Sequence, residues 1–202
     1  MAIRIEQEGI TDALNFFKAV PEVANKSAAI AINQVLNRTG MAMIRGGIED
    51  QVKFPKGYLT GDRLRVSKAA TATDLEGVVT ARQRATSLAR FANGAAIGRP
   101  GVSVRVSDGK TKFLENAWLV RLKRGASLTQ DNYNIGLAVR LKPGTRLFNK
   151  NAPHKDWLVK DRVALLYGPS VDQVFRNVAD DMALPIAALV ETEFFRQLDF
   201  RI

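Results

Sequence analysis

With 202 residues the chain has the size of one domain, and its 46% of hydrophobic residues excludes a disordered protein. The absence of cysteine excludes disulfide bonds, a cysteine nucleophile and thiolate metal ligands. The formal net charge of +10 favours acidic partners, and no run of about 18 apolar residues is available for a membrane-spanning helix.

The N-terminal part, residues 1–50, has a helical pattern. Ile3–Ile5 fits either a short strand or an extended arm. Acidic residues lie around it where a signal peptide needs an apolar core, so export is not expected. We therefore expect the protein to fold in a reducing cytoplasm. A short helix is predicted to end before Pro21, and a second to run from Pro21 to a stop at Gly46-Gly47. The many Ala and Gly residues of the second helix suit close packing against another helix.

In residues 51–167 the hydrophobic pattern changes to a period of two, which is typical of β-strands. A loop at 51–61 comes first, and a helical turn is expected at 84–91. The alternating segments predict strands at 63–68, 75–82, 102–106, 118–122, 135–141 and 163–167. Asp108-Gly109 is a strong two-residue turn signal. The stretches 93–101 and 124–134 are predicted to be mobile loops, and 142–160 to be mostly loop.

The C-terminal part, residues 168–202, breaks at Gly168-Pro169 and continues as a long helix. Ser170 and Gln173 have the spacing of a capping box, and Pro185 is expected to kink the helix. Its apolar residues recur at three- and four-residue steps and predict a subunit-packing stripe of Val171, Phe175, Val178, Met182, Ile186 and Leu189. A helix roughly 40 Å long offers more apolar face than a small sheet covers, so we expect it to contact another chain.

Helices, then grouped strands, then a helix predict an α+β fold in a single domain, 1–202. Strands without helical crossovers form a mostly antiparallel β-sheet. We expect this sheet to be packed by the N-terminal helical segment and by the long C-terminal helix.

The positive charge is concentrated in the middle of the chain. Residues 1–50 contain five Lys/Arg and six Asp/Glu, residues 51–160 contain 21 and seven, and residues 161–202 contain four and seven. Pairs of basic residues spaced two apart share a face of each predicted strand. If these strands are neighbours, one basic face results, formed by Arg63, Arg65, Arg82, Arg84, Arg121, Lys123, Arg140 and Lys142. A solvated surface, contact with acidic protein and contact with nucleic acid all remain open.

Motifs of catalysis and of metal binding are absent from the sequence. There is no nucleophile elbow, phosphate-binding loop or H-E-x-x-H pattern. His154, the only histidine, lies in a polar loop without neighbouring ligands and is expected to be an ordinary surface residue. The carboxylates Asp180-Asp181 and Glu191/Glu193 have spacings that do not place a pair on one helix face. We therefore predict no enzyme activity and no cofactor.

Four segments carry a resemblance to a known family: Ala31–Thr39, Asn116–Gly125, Gly136–Leu141 and Leu166–Val171. In order and spacing they resemble the minor tail protein Z family of tailed bacteriophages, and Tyr-Gly-Pro-Ser-Val before a helix is the most distinctive of them. The resemblance implies a non-enzymatic virion protein at the head-proximal end of a tail, in the tail-completion or neck region. It also implies contacts with other tail, neck or portal-connector proteins. Because the family is not enzymatic, no catalytic residue carries over.

The sequence therefore predicts a structural virion subunit that forms a ring and helps join the tail to the head. An acidic end and a basic middle on one chain suit head-to-tail contact between copies. A basic face lining the channel would also touch genomic DNA through its phosphates. The alternative is a sequence-independent DNA-binding protein that uses the basic face of its sheet, with affinity that falls steeply as salt rises.

Overall fold

The computed structural model describes residues 8–94, 96–129, 132–143, 158–159 and 163–201. Its helices are α1 (Glu8–Asn37), α2 (Thr39–Gln51) and α3 (Val171–Asp199). The strands in the described residues are β1 (Leu64–Lys68), β2 (Val78–Ala81), β3 (Thr86–Ser87), β4 (Ala92–Asn93), β5 (Pro100–Ser107), β6 (Lys110–Arg121), β7 (Ile135–Arg140), β8 (Leu158–Val159) and β9 (Val163–Gly168). The predicted α+β class is confirmed.

The N-terminal helices have other boundaries than the sequence predicts. Pro21 lies inside α1, and the first break comes at Arg38, whose backbone leaves the helical region at φ −124° and ψ −99°. The predicted stop at Gly46-Gly47 is also wrong, because α2 continues to Gln51. An interior proline costs about 3 kcal/mol through one lost hydrogen bond and a clash, which the packing of a 30-residue helix offsets.

The two N-terminal helices run antiparallel to α3 and pack along it. A Cβ atom added at Gly47 of α2 would lie 3.5 Å from the side chains of Val178 and Met182. Farther along α3, Ser27 Oγ donates a hydrogen bond to the carbonyl of Gln197 at 3.4 Å. An alanine at position 47 would therefore be in ordinary van der Waals contact with α3, so α2 packs directly against α3 there.

The main sheet is antiparallel and curls around its own core. Six strands follow the order β3-β9-β7-β6-β5-β4, and β8 pairs with β9 outside this order. A helical turn at residues 88–91 joins the two outermost strands of this order, β3 and β4, and so brings the sheet edges together. The register of β5 against β6 shifts twice, and such irregularities increase strand twist. The interior is filled by buried side chains that include Val102, Leu119 and Leu137.

A second core lies between the helices and the β1–β2 hairpin, which forms a separate two-stranded sheet. The loop after α2 contributes Phe54 and Tyr58, whose rings stack with centroids 5.4 Å apart. Phe91, from the turn that closes the main sheet, packs against Phe54 at 5.6 Å. The 88–91 turn therefore joins the two cores and places Arg90 between them.

The loops fit the sequence pattern in part. Asp108-Gly109 forms the predicted turn, with Gly109 at φ 70°. The predicted loop 93–101 is shorter, because β4 ends at Asn93 and β5 begins at Pro100. The two-residue strands β3, β4 and β8 are too short to show a period in the sequence. Ile3–Ile5 lies outside the described residues.

Candidate functional site

The N-terminal cap of α3 fixes where this helix starts. Ser170 Oγ accepts a hydrogen bond from the Gln173 amide, and Gln173 Oε1 accepts one from the Ser170 amide, both at 3.0 Å. This reciprocal capping box satisfies two backbone donors that a helix start leaves free. The buried residues Val171 and Val174 follow at once and direct α3 across the second core. The helix continues through Pro185, and the kink expected there stays a prediction.

The predicted subunit-packing stripe of α3 packs within its own chain, which corrects the sequence interpretation. Val171 and Val178 are buried, and Phe175 and Ile186 pack against the same core. Met182 lies at Gly47 of α2, while Leu189, the last member of the stripe, is half-buried. The reason is that α2 and the β1–β2 hairpin cover this side of the helix.

The opposite side of α3 is exposed and partly apolar. Leu184, Ala188, Glu191 and Phe195 follow one another at steps of four, three and four residues, so they share one face, here named the outer face of α3. Leu184 is 81% exposed and Phe195 is 53% exposed. Phe200, just beyond the helix, is 83% exposed. The same helical spacing is present in the sequence, but the sequence does not show which apolar stripe the rest of the chain covers.

The eight predicted basic residues do not form one sheet face, which corrects the second site prediction. The premise fails because β1 and β2 belong to a separate sheet. Within the main sheet, Arg121 pairs with Ile135 at one end of the β6–β7 ladder, whereas Arg140 lies at the other end. Those ends are separated by roughly 17 Å at about 3.4 Å per residue.

The structure instead distributes these residues over several local environments. Arg63, Arg82 and Arg84 lie near Tyr58, and Arg65 is exposed on β1. Arg140 and Lys142 line an open groove of about 590 Å³ with Trp118. At the other end of the sheet, Arg121 Nε donates to the Ala126 carbonyl at 2.9 Å, and Lys123 lines a cavity in the following loop.

A cluster of arginines and tyrosines forms where the two cores meet. We name the arginine–tyrosine pocket by its five central residues: Tyr58, Arg63, Arg82, Arg90 and Tyr133. The guanidinium carbons of Arg63, Arg90 and Arg82 lie 4.4, 4.9 and 5.6 Å from the centre of the Tyr58 ring. Arg90 also lies 3.9 Å from the centre of the Tyr133 ring. The cavity beside them measures about 290 Å³.

Burial and charge shift the pKa values of two pocket residues. Burial raises the pKa of Tyr133 to about 12, although the nearby positive charge of Arg90 opposes this rise. Burial also lowers the pKa of Arg90, and the positive charges of Arg63 and Arg82 lower it further. Arg90 stays protonated at neutral pH, since free arginine has a pKa above 12. The pocket is therefore strongly positive.

Two other kinds of site were sought in the described residues. No group of three or more His, Cys, Asp or Glu side chains stands close enough there to hold a metal ion. His154 lies outside the described part of the chain. No described helix combines the length and hydropathy needed to cross a membrane.

Comparison with protein-family models, curated proteins and solved structures finds no match to this chain. The relationship to phage tail proteins therefore depends on the sequence motifs alone and stays a prediction.

Proposed function

We propose that this chain is a structural subunit of a tailed-phage virion. In this proposal, copies of the chain form a ring at the head-proximal end of the tail and help join the tail to the head. The observation that carries the proposal is the outer face of α3, where Leu184 and Phe195 are more than half exposed. Large apolar side chains grouped on one exposed face mark interaction surfaces, because their burial by a partner is favourable.

A second copy of the same chain is the partner that the charges favour. In the described residues, Asp180, Asp181 and Glu191 of α3 make no ion pair. Several exposed cations of the strands and their loops also make none within the described part of the chain: Arg65, Arg84, Arg99, Lys112, Lys123 and Arg140. Carboxylates on α3 and exposed cations elsewhere on the same subunit favour a head-to-tail contact between copies, and such a contact gives a ring when the rotation between neighbours closes.

The resemblance to the minor tail protein Z family supplies the virion context of the proposal. In this proposal the ring lies between the tail and the neck or portal-connector proteins, and it assembles in the host cytoplasm. The proposed role is mechanical, without catalysis or cofactor.

Sequence-independent DNA binding is the second candidate function. The groove formed by Trp118, Arg140 and Lys142 favours it, because an aromatic ring and two cations are what non-specific single-strand binding uses. Ring formation without measurable affinity for DNA rejects this candidate.

Sedimentation velocity of a variant of the outer face tests the proposed assembly. The double variant Leu184→Glu/Phe195→Glu places two charges on the exposed face, whereas the core-facing stripe is unchanged. We expect the wild type to sediment as one multimer and the double variant as a folded monomer that still unfolds cooperatively.

The matched control is Gln51→Glu/Thr72→Glu, which adds the same charge at two exposed positions outside α3. This control is expected to sediment like the wild type. A wild type that is monomeric at every concentration, or a double variant that still forms the multimer, would contradict the proposal.

A further inference from the structure

The arginine–tyrosine pocket concentrates positive charge around one ring. Arg82 donates a hydrogen bond to the Tyr58 hydroxyl, and Arg63 donates one to the Tyr58 carbonyl at 3.4 Å. Arg90 contacts the rings of Tyr58 and Tyr133 at the distances given above. Three guanidinium groups of like charge are thereby held together by one tyrosine.

The described residues do not neutralise this charge. The one carboxylate paired with the cluster in the described part of the chain is Asp62, which lies 3.7 Å from Arg82. That carboxylate side chain is 72% exposed, and exposed ion pairs contribute little. Bringing three cations together is unfavourable unless an anion joins them. The electrostatics of the pocket therefore favour binding of an anion.

Unpartnered polar atoms around the pocket give a second, independent observation. The Nε atoms of Arg63 and Arg82 and the hydroxyl of Tyr133 are buried without a hydrogen-bond partner among the described residues. Buried polar groups are normally paired, so these three donors are available to an acceptor such as an anion. In addition, the Arg90 guanidinium makes no hydrogen bond to any described residue, although two aromatic rings position it. The N–H groups of the Arg90 guanidinium can therefore donate to an acceptor.

We propose that the arginine–tyrosine pocket binds a phosphate group. A carboxylate has two oxygens and one charge, which a single arginine fork satisfies. Here, the guanidinium groups of Arg82, Arg84 and Arg90 line one cavity, which suits the larger charge and the several oxygens of a phosphate. The cavity, about 290 Å³, admits a phosphate, and Asn134 at its lining adds a donor.

Two sources supply this chemistry: free inorganic phosphate and the backbone phosphates of DNA. The proposal does not depend on ring assembly, because all the pocket residues come from one copy. Failure of phosphate binding is thus distinguishable from failure of ring assembly. The variant Leu184→Glu/Phe195→Glu, whether monomeric or not, is expected to keep the affinity of the wild type for phosphate.

Calorimetric titration of the full chain with sodium phosphate at constant ionic strength tests the proposal. We expect saturable binding that Arg90→Gln weakens by about tenfold or more, since hydrogen bonds to charged groups are the strong ones. The control Arg99→Gln removes an exposed cation outside the pocket and is expected to bind like the wild type. The exposed residue Arg84 provides a second pocket variant, Arg84→Gln, in case Arg90→Gln does not fold, and it is expected to bind more weakly than the wild type.

Competition experiments identify the source of the phosphate. A single-stranded oligonucleotide that displaces inorganic phosphate from the wild type, but does not bind Arg90→Gln, supports the pocket with DNA phosphate as its ligand. An oligonucleotide that leaves phosphate binding unchanged supports the pocket with a small phosphate as its ligand. Binding that is equal in the wild type and both pocket variants overturns the proposal, as does acetate binding as tight as that of phosphate.

Discussion

At the scale of single residues, two glycines are expected to respond oppositely to a methyl group. A Cβ added at Gly46, inside α2, meets no atom within 4 Å. Gly46→Ala is therefore expected to stabilise the protein by about 0.5–1 kcal/mol, because alanine loses less backbone entropy in a helix. At Gly77 the added Cβ would lie 2.8 Å from Ile32 Cγ2 and closer still to Leu36 Cδ1. We expect Gly77→Ala to destabilise by about 1–3 kcal/mol through overpacking.

Urea denaturation of the two alanine variants beside the wild type measures both effects. Gly77→Ala is expected to lower the unfolding free energy, because Gly77, which precedes β2, packs against α1. Gly46→Ala is expected to raise it, because position 46 lies in the interior of α2. Equal unfolding free energies for Gly77→Ala and the wild type would show that α1 does not pack tightly there.

Residues whose roles depend on spacing along the chain can be identified from the sequence, whereas residues brought together only by the fold cannot. The Ser170–Gln173 capping box depends on a spacing of three residues, so it is predictable from the chain alone and is found in the structure. The arginine–tyrosine pocket is different, because Tyr58, Arg90 and Tyr133 come from three loops and turns far apart in sequence. Arg63 and Arg82 are identified by their basic character, but no local pattern indicates that they meet at one ring.

At the scale of elements, tertiary packing overrides the breakers of the N-terminal helices. Pro21 and Gly46-Gly47 predict ends by their intrinsic preferences, yet α1 and α2 pass through them. At Gly47 the side chains of Val178 and Met182 show that α3 packs alongside α2. For α3 the length and start are predictable, but not which face is free. Two apolar stripes exist, and the decision between them depends on where the hairpin and α2 lie.

The hydrogen bonds that Glu193 accepts within the last turns of α3 are expected to be lost in acid. Glu193 accepts hydrogen bonds from Arg196 at 2.6 and 2.8 Å and from Gln197 at 2.6 Å. The Arg196 hydrogen bonds, and then that of Gln197, lower the pKa of Glu193 to about 2. A lowered pKa in the folded state means that the stabilisation is present above the ordinary value of 4.5 and is lost as the pH falls towards about 2.

Denaturation curves between pH 7 and pH 2 check this expectation. The difference in unfolding free energy between the wild type and Glu193→Gln is expected to shrink as the pH falls below 4.5. Glu49→Gln, at an exposed position of α2 without an ion pair in the described residues, is the control and should show no such convergence. A difference between wild type and Glu193→Gln that is independent of pH is the contrary result.

At the scale of the whole molecule, the sequence predicts the α+β class because composition and period change together along the chain. Curling of the sheet is not predictable, since it depends on register shifts and on two-residue strands that carry no period. The distribution of charge is predictable, but its arrangement into separate groups is not. The resulting molecule has an acidic, partly apolar outer face of α3 and exposed cations on its strands, which is the basis for the proposed assembly.

Reactivity of a single cysteine tests most directly whether a second copy covers the outer face of α3. The chain has no cysteine, so Ala188→Cys introduces one unique thiol on that face. Gln51→Cys, exposed at the end of α2, serves as the reference. We predict that, at low salt, the Ala188→Cys thiol reacts with a thiol reagent much more slowly than the reference thiol, and that high salt, by screening the charged contact, brings the two rates together. Equal rates at every salt and protein concentration would contradict the account.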